Sequence, residues 1–398
     1  MNYDNLPMLR TSERKDFKRC VQRWYWRWRM GLFPRQQRYN ALWFGTGIHL
    51  ALERWYVPGV TRGVDPRETW AEFVEDQIGY VKALVVEGET PEDTIEVWVE
   101  AGDLGHDMLS NYLHHFGKDD SWEVISAEQN FNLLIAKPEP KSKAVVPIAR
   151  TPIVRYLGTF DLVARDLNTR QIWLWDHKTA KSIRTDHLPM DDQAGSYWAV
   201  ADHVLRKQKL ILPRERINGI LYNFLLKSPP DPRPVDELGR STNNPVKKHY
   251  IWALMRKQGF VVEADPQFPE TFAKMNKEYS LAELKSETDR QGIHVLGDVS
   301  KQQPTPRFKR HPVNRTRAER NTQIERIGSE ATVMNMYRDG GLPLTKNPTR
   351  DCTWDCDFRN LCELHESGGD TESFISDIYV RDDPYAAHRL QERVSEDT

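Results

Sequence analysis

The sequence predicts an α/β fold, a sheet covered by helices, and three stretches carry the prediction. Residues 154–165 (VRYLGTFDLVAR) alternate β-branched and aromatic side chains with others, residues 166–169 (DLNT) hold turn chemistry, and residues 170–179 (RQIWLWDHKT) resume a strand pattern. An antiparallel hairpin is therefore expected. Within it Ile172, Trp173, Leu174 and Trp175 are apolar on both faces, the pattern of a strand buried between two layers. Residues 188–207 (LPMDDQAGSYWAVADHVLRK) read as a helix, with Asp191 and Asp192 near its start and Arg206 and Lys207 near its end, as the helix dipole favours.

The hairpin carries chemistry. Side chains two apart on a strand share a face at roughly 7 Å spacing, so Asp176 and Lys178 point one way and His177 the other, with Asp161 on the partner strand. Two carboxylates converging from adjacent strands can hold Mg²⁺ or Mn²⁺ through oxygens at about 2.1 Å and leave room for water and a phosphodiester oxygen. A lysine beside them can orient a metal-bound hydroxide and offset charge growing on the phosphorane. The carbonyl of His177 is one more candidate ligand. Such hairpins are more often solvated edges, but an acid and a lysine ending a strand buried on both faces need a reason. Gln193 and Tyr197 are four apart and share a helix face, which a short connection from Lys178 brings back over the hairpin.

The succession G-T-F-D at 158–161, D-H-K at 176–178 and Q-A-G-S-Y at 193–197 resembles the motifs of the RecB-type branch of the PD-(D/E)XK nuclease superfamily. The resemblance implies a restriction-endonuclease-like core in the order helix, three strands, helix, strand, with helical elaborations. The chain accommodates that order as 41–56, 122–135, 154–165, 171–179, 189–207 and 216–227. It also implies a histidine ligand on the first helix, and F-G-T-G-I-H places His49 there; by pattern alone a histidine on an apolar helix reads as a core residue. Glu53, one turn later, is expected to steady the site. By the same resemblance His49, Asp161 and Asp176 would hold Mg²⁺ or Mn²⁺, Lys178 would position the water, and Gln193 and Tyr197 would contact the substrate phosphate or the water. Without it Tyr197 reads as a core aromatic. The family usually has Glu where this chain has Asp176, a choice the motif itself admits.

The four cysteines segregate: Cys20 near one end, Cys352, Cys356 and Cys362 near the other, and none between. With no signal peptide in view, disulfides are not expected and thiolates grouped in this way suggest a metal. Zinc commonly takes paired C-x2-C knuckles, which C-T-W-D-C-D-F-R-N-L-C with one distant partner does not supply. One upstream and three downstream cysteines resemble the cluster-bearing RecB-type nucleases, among them stand-alone CRISPR-associated and phage exonucleases. That implies a structural [4Fe-4S] cluster joining the N- and C-terminal segments, although Cys352-x3-Cys356 has one more intervening residue than the family's usual pair.

Length and composition bound the rest. The motifs and cysteines span nearly all 398 residues, so residues 1–366 are expected to form a single elaborated domain, with 367–398 an acidic, loosely held tail. Residues 228–246 (SPPDPRPVDELGRSTNNPV) read as a long loop. Charged residues make up 29% at a net charge of -2, so no global basic excess announces nucleic acid. Locally, Lys301, Arg307, Lys309, Arg310, Arg315, Arg317, Arg320 and Arg326 face only Glu319 and Glu325 over 301–326, and Arg307, Lys309, Arg310, Arg315 and Arg317 are candidate DNA contacts. Trp24, Tyr25, Trp26 and Trp28 alternate with cations near Cys20, which suits base stacking or, for most of these rings, a core-facing stripe. No run is long and apolar enough for a membrane span, and the G-x4-G-K-[ST] loop of a helicase motor is missing. The expectation is a cytosolic deoxyribonuclease, and the resemblance to the RecB-type nucleases further implies an exonuclease acting on ends or single strands in recombination, repair or spacer acquisition, with any helicase partner acting in trans. Its rival is a non-catalytic DNA-binding or assembly factor that keeps the fold with an iron-sulfur or zinc site.

Overall fold

The computed structural model describes residues 3–35, 41–88, 91–138, 151–228, 231–261 and 266–386. The N-terminal segment forms β1 (Met8–Arg10), α1 (Thr11–Arg19) and α2 (Val21–Trp24), which runs through a π-helical turn at Tyr25–Arg29 into β2 (Leu32–Pro34). Three helices follow: α3 (Ala41–Trp55), α4 (Pro66–Val86) and α5 (Thr94–Phe116). The central succession is β3 (Trp122–Ala136), β4 (Pro152–Asp166), β5 (Ile172–Ala180), α6 (Asp192–Lys207) and β6 (Ile217–Leu226). After it come α7 (Lys247–Lys257), α8 (Phe268–Glu278), α9 (Leu281–Arg290), β7 (Phe308–Asn314), α10 (Arg317–Arg338), α11 (Arg359–Glu366), α12 (Thr371–Ile378) and β8 (Tyr379–Arg381).

Alternation along β5 explains the layers. Ile172 and Leu174 enter the core shared with α6 and α10, through Trp198, Val204, Ile327 and Ala331. Trp173 and Trp175 enter the opposite core, with Phe44, Ile48 and Leu52 of α3 and Met108 and Tyr112 of α5. A strand apolar on both faces thus lies between two helical layers, as its composition requires. The sheet runs β1-β4-β5-β6-β7, with β3 also on β4; β5 and β6 are parallel, and β4 pairs antiparallel with β3 and β5. The α/β expectation and the order helix, three strands, helix, strand are therefore met, within a mixed sheet consistent with a restriction-endonuclease-like fold.

The chain divides into two compact units, Met1–Lys227 with Phe308–Thr398, and Ser228–Arg307. The second is more than the long loop read at 228–246. It closes its own core of Tyr250, Ile251, Leu254, Met255 and Leu284, bordered by Phe268, Phe272 and Met275. Ser280 and Glu283 cap α9 reciprocally.

The expectation of a loose tail is corrected for 371–386. β8 pairs antiparallel with β2, Ile375 and Tyr379 join a cluster with Trp26, Leu32, Phe358 and Leu361, and Tyr385 donates to Glu13 Oε2 at 2.5 Å. A few large apolar side chains outweigh the acids around them. The remainder of that tail, 387–398, lies outside the described residues. Trp24, Trp26 and Trp28 are buried; the indole N–H of Trp24 donates to Glu13 and that of Trp28 to Asp16, so these rings belong to the core.

Candidate active site

The site forms where β4 forks. One edge of β4 pairs with β3 along most of its length. The other edge holds β1 at Arg155, Tyr156 and Leu157 and β5 from Leu162 to Arg165, so residues 158–161 lie between two neighbours that diverge. Gly158 is needed there, because a Cβ would stand 2.6 Å from the Phe131 ring and 2.9 Å from the Tyr197 ring. As β5 leaves the ladder its His177 N–H donates to Asp161 Oδ2 at 2.8 Å, so a carboxylate satisfies the donor that the fork exposes.

α3 delivers His49. Phe44, Ile48, Ala51 and Leu52 face the core and Gly47 lets the helix approach Trp70 and Phe73, which leaves His49 at the border of the apolar stripe beside β5. Its Nε2 lies 3.0 Å from the His177 carbonyl oxygen, which fixes the ring and directs Nδ1 toward Asp161 Oδ2 at 3.6 Å and Glu128 Oε1 at 3.9 Å. The His177 carbonyl, a candidate ligand by sequence, thus has one lone pair engaged by His49. The His177 ring lies edge-on to the His49 ring at 5.8 Å, with Asn223 Nδ2 2.9 Å from its Nδ1, and burial holds its pKa well below the usual imidazole range.

Glu128 is the residue sequence reasoning missed. It sits on β3 between Ala127 and Gln129, which pair with Leu162 and Phe160, and so lies across from Asp161. Its φ of 42° is in the left-handed region, a strained backbone for a residue with a Cβ. One ligand atom each from His49, Glu128 and Asp161 falls within 4.8 Å of the others, close enough to hold one ion. Only the strand register brings Glu128 here; nothing in its own neighbourhood of sequence marks it.

Asp176 and Lys178 project together from β5, as alternation predicted. Lys178 Nζ donates to Asp176 Oδ1 at 3.0 Å and stands 2.8 Å from Oδ2, which is otherwise buried without a hydrogen bond. Burial raises the carboxyl of Asp176 to about 6 against the pull of Lys178, and Asp161 adds to the rise. Asp161 is raised by burial as well, with His49 opposing. Burial disfavours the imidazolium of His49, but Asp161 and Glu128 outweigh it and lift its pKa to about 9. Glu53 is raised by burial and by Glu128. Several carboxylates around one point thus call for positive charge. Hard oxygen donors, one imidazole and the buried Asp176 Oδ2, which lacks a hydrogen bond, fit Mg²⁺ or Mn²⁺.

A family model for the PD-(D/E)XK nuclease superfamily matches residues 11–363. This chain belongs to the PD-(D/E)XK nuclease superfamily. Nucleases of this superfamily act on nucleic acid with divalent metal, and the His49, Glu128 and Asp161 group of this nuclease can hold such an ion. No curated protein matches the chain in sequence.

The remaining candidates of the nuclease divide. Gln193 is exposed on the first turn of α6, whose N-terminus Asp191 caps. The Tyr197 ring packs edge-on against Phe131 and Phe160, and burial raises its hydroxyl well above the usual range. Of the basic stretch, Arg310 turns inward: it forms an ion pair with Asp119, approaches the hydroxyls of Tyr56 and Tyr112 at 3.3 Å and lies over the Phe116 and Trp175 rings. Arg315 donates to the carbonyls of Leu188, Pro189 and Asp191 and so fixes the β5–α6 connection. Arg320 pairs with Asp202 and Arg326 donates to Gln323. Lys309 and Arg317 are exposed, and Arg307 is half-buried.

Cys20 joins α1 to α2, Cys352 lies in a 3₁₀ turn, Cys356 in the following loop and Cys362 in α11. Burial raises the Cys362 thiol against nearby Lys346, and Cys20, Cys356 and Cys352 add to the rise. No cysteine among the described residues belongs to a group with ligand atoms all within 4.8 Å. The two segments are joined independently by ion pairs of Arg19 with Asp355 and Arg27 with Asp357, and by Arg23 donating to the Asp355 carbonyl at 2.6 Å. No described helix is long and apolar enough to cross a membrane.

Proposed function

We propose that the chain is a RecB-type deoxyribonuclease, an exonuclease acting on DNA ends or single strands in recombination, repair or spacer acquisition. The observation that supports it is the convergence of His49, Glu128 and Asp161 on one point with the Asp176 and Lys178 pair on the same strand as the His177 contact. His49, Asp161 and Asp176 would hold Mg²⁺ or Mn²⁺, with Glu128 completing the set. The ion supplies a water acidic enough to be the nucleophile and a Lewis acid for the phosphate. Lys178 stays charged, since Asp176 raises its pKa beyond the usual lysine range despite burial. It therefore orients the attacking oxygen and offsets charge on the phosphorane, without trading a proton. Gln193, exposed at the start of α6, would contact the phosphate or the water, while Tyr197 would act by holding the fork at Gly158.

Cys20, Cys352, Cys356 and Cys362 would hold a [4Fe-4S] cluster of structural role. Cys20 is brought toward the downstream three by the ion pairs of Arg19 with Asp355 and Arg27 with Asp357, and the C-x3-C spacing in place of paired C-x2-C knuckles favours a cluster over zinc. Arg23 beside Cys356 and Lys346 beside Cys362 oppose the rise that burial gives those two thiols. Anaerobic purification should give iron and sulfide, and Cys356→Ala should lose both; full iron in that variant excludes this ligand set.

End-labelled single- and double-stranded DNA with Mg²⁺, Mn²⁺ or chelator tests the activity. Asp161→Ala and Lys178→Ala should each lower cleavage by at least about 100-fold. A folded wild type that cuts nothing supports the non-catalytic binding factor instead.

A further inference from the structure

We infer that Lys181 and Lys227 form a phosphate-binding subsite for the nucleic-acid strand, one step beyond the reaction centre along the sheet and beside α3. The inference rests on the nuclease reading and adds to it where the substrate backbone runs.

The placement follows from register. β5 and β6 run parallel with Lys178 beside Phe224, Thr179 beside Leu225 and Ala180 beside Leu226, and the Lys227 N–H donates to the Ala180 carbonyl at 2.7 Å. The next residues, Lys181 and Lys227, therefore leave the sheet side by side. α3 runs along the same ends. His49 meets the His177 carbonyl, a Cβ on Gly45 would lie 3.6 Å from Thr179 Oγ1, and Lys227 Nζ stands 4.4 Å from the centroid of the Phe44 ring. One helix thus leads from the candidate metal group to the two lysines. Four residue steps lead from His177 to Lys181, roughly 13 Å, a distance that a bound strand covers within a few nucleotides.

The chemistry suits a phosphodiester. Lys181 is exposed and forms no ion pair among the described residues. Lys227 is half-buried with its ammonium on an aromatic face, and burial together with Lys181 holds its pKa down to about 8. Two neighbouring ammonium groups, one of them partly withdrawn from water, are both stabilised by an anion placed beside them.

The test compares wild type with Lys181→Ala, Lys227→Met and the double variant by anisotropy of a labelled single-stranded oligonucleotide in Ca²⁺ over a salt series. Each lysine removed should weaken binding and flatten the slope of log affinity against log salt by about 0.7, and Lys227→Arg should restore both. Mg²⁺ affinity by calorimetry and the melting temperature report on the metal group and the fold. Unchanged affinity and slope in the double variant overturns the subsite, as does a parallel loss of Mg²⁺ binding. A wild type that binds the oligonucleotide and never cuts it defeats the nuclease reading alone, because the salt slopes still decide the subsite.

Discussion

Glu128 shows how a single residue can be central and still illegible in a sequence. Asp161, Asp176, Lys178 and His49 stand in motifs, whereas Glu128 gains its place from a register across β3 and β4 and from a backbone held at φ 42°. Glu128→Gln should weaken Mg²⁺ binding about 10- to 100-fold. Calorimetry showing wild-type affinity would remove Glu128 from the site. Protons compete for the same position. His49 has a folded pKa lifted from 6.5 to about 9, so its contribution to stability is complete below pH 6.5 and is lost as pH rises toward 9. Asp176, raised from 3.8 to about 6, has already lost its corresponding contribution by then. Lys227, lowered to about 8, acts with the opposite sign only above that pH. Between pH 6.5 and 8 the chelated protein should therefore melt at falling temperature, and the rise in melting temperature on adding Mg²⁺ should grow. A metal-induced rise that shrinks over this window would contradict the assignment of His49.

At the scale of elements, the strands and helices of the core fall within a few residues of the boundaries read from the sequence, because β5 is buried on both faces and α6 is capped and charged as the dipole favours. The basic stretch divides between core and surface, because summing charge along a segment ignores that a strand alternates. In β7, Phe308 and Arg310 turn to the core with Trp175 while Lys309 turns to solvent. Arg310 ties β7 to α3, α5 and the turn at Asp119 through one buried cation and its partners. Arg310→Ala leaves Asp119 charged and buried, a loss of about 3–5 kcal/mol. Denaturant unfolding should show that loss. A fully stable variant with weakened DNA binding would return Arg310 to the substrate path.

Across the whole molecule, the least legible feature is where the second unit begins and ends. Its proline- and asparagine-rich entry reads as a loop, and its three helices carry too short an apolar stripe each to signal a core before they meet around Tyr250 and Met255. The register shows what the insertion interrupts. β6 and β7 are antiparallel neighbours, and Leu225 pairs directly with Phe308, so the segment from Ser228 to Arg307 leaves and re-enters the sheet at adjacent positions. Antiparallel partners of that kind need only a tight turn, and loop-closure entropy favours the short connection. Replacing Ser228–Arg307 by Asn-Gly should therefore leave a cooperatively folding protein that keeps the Leu225 to Phe308 pairing, the Arg310 network and the His49, Glu128 and Asp161 group. The expected result is a single thermal transition and Mg²⁺ affinity within a few-fold of the full chain, read by calorimetry. A molten or insoluble product would mean that the inserted unit is required for the sheet to close, and that the pairing of β6 with β7 does not form without it.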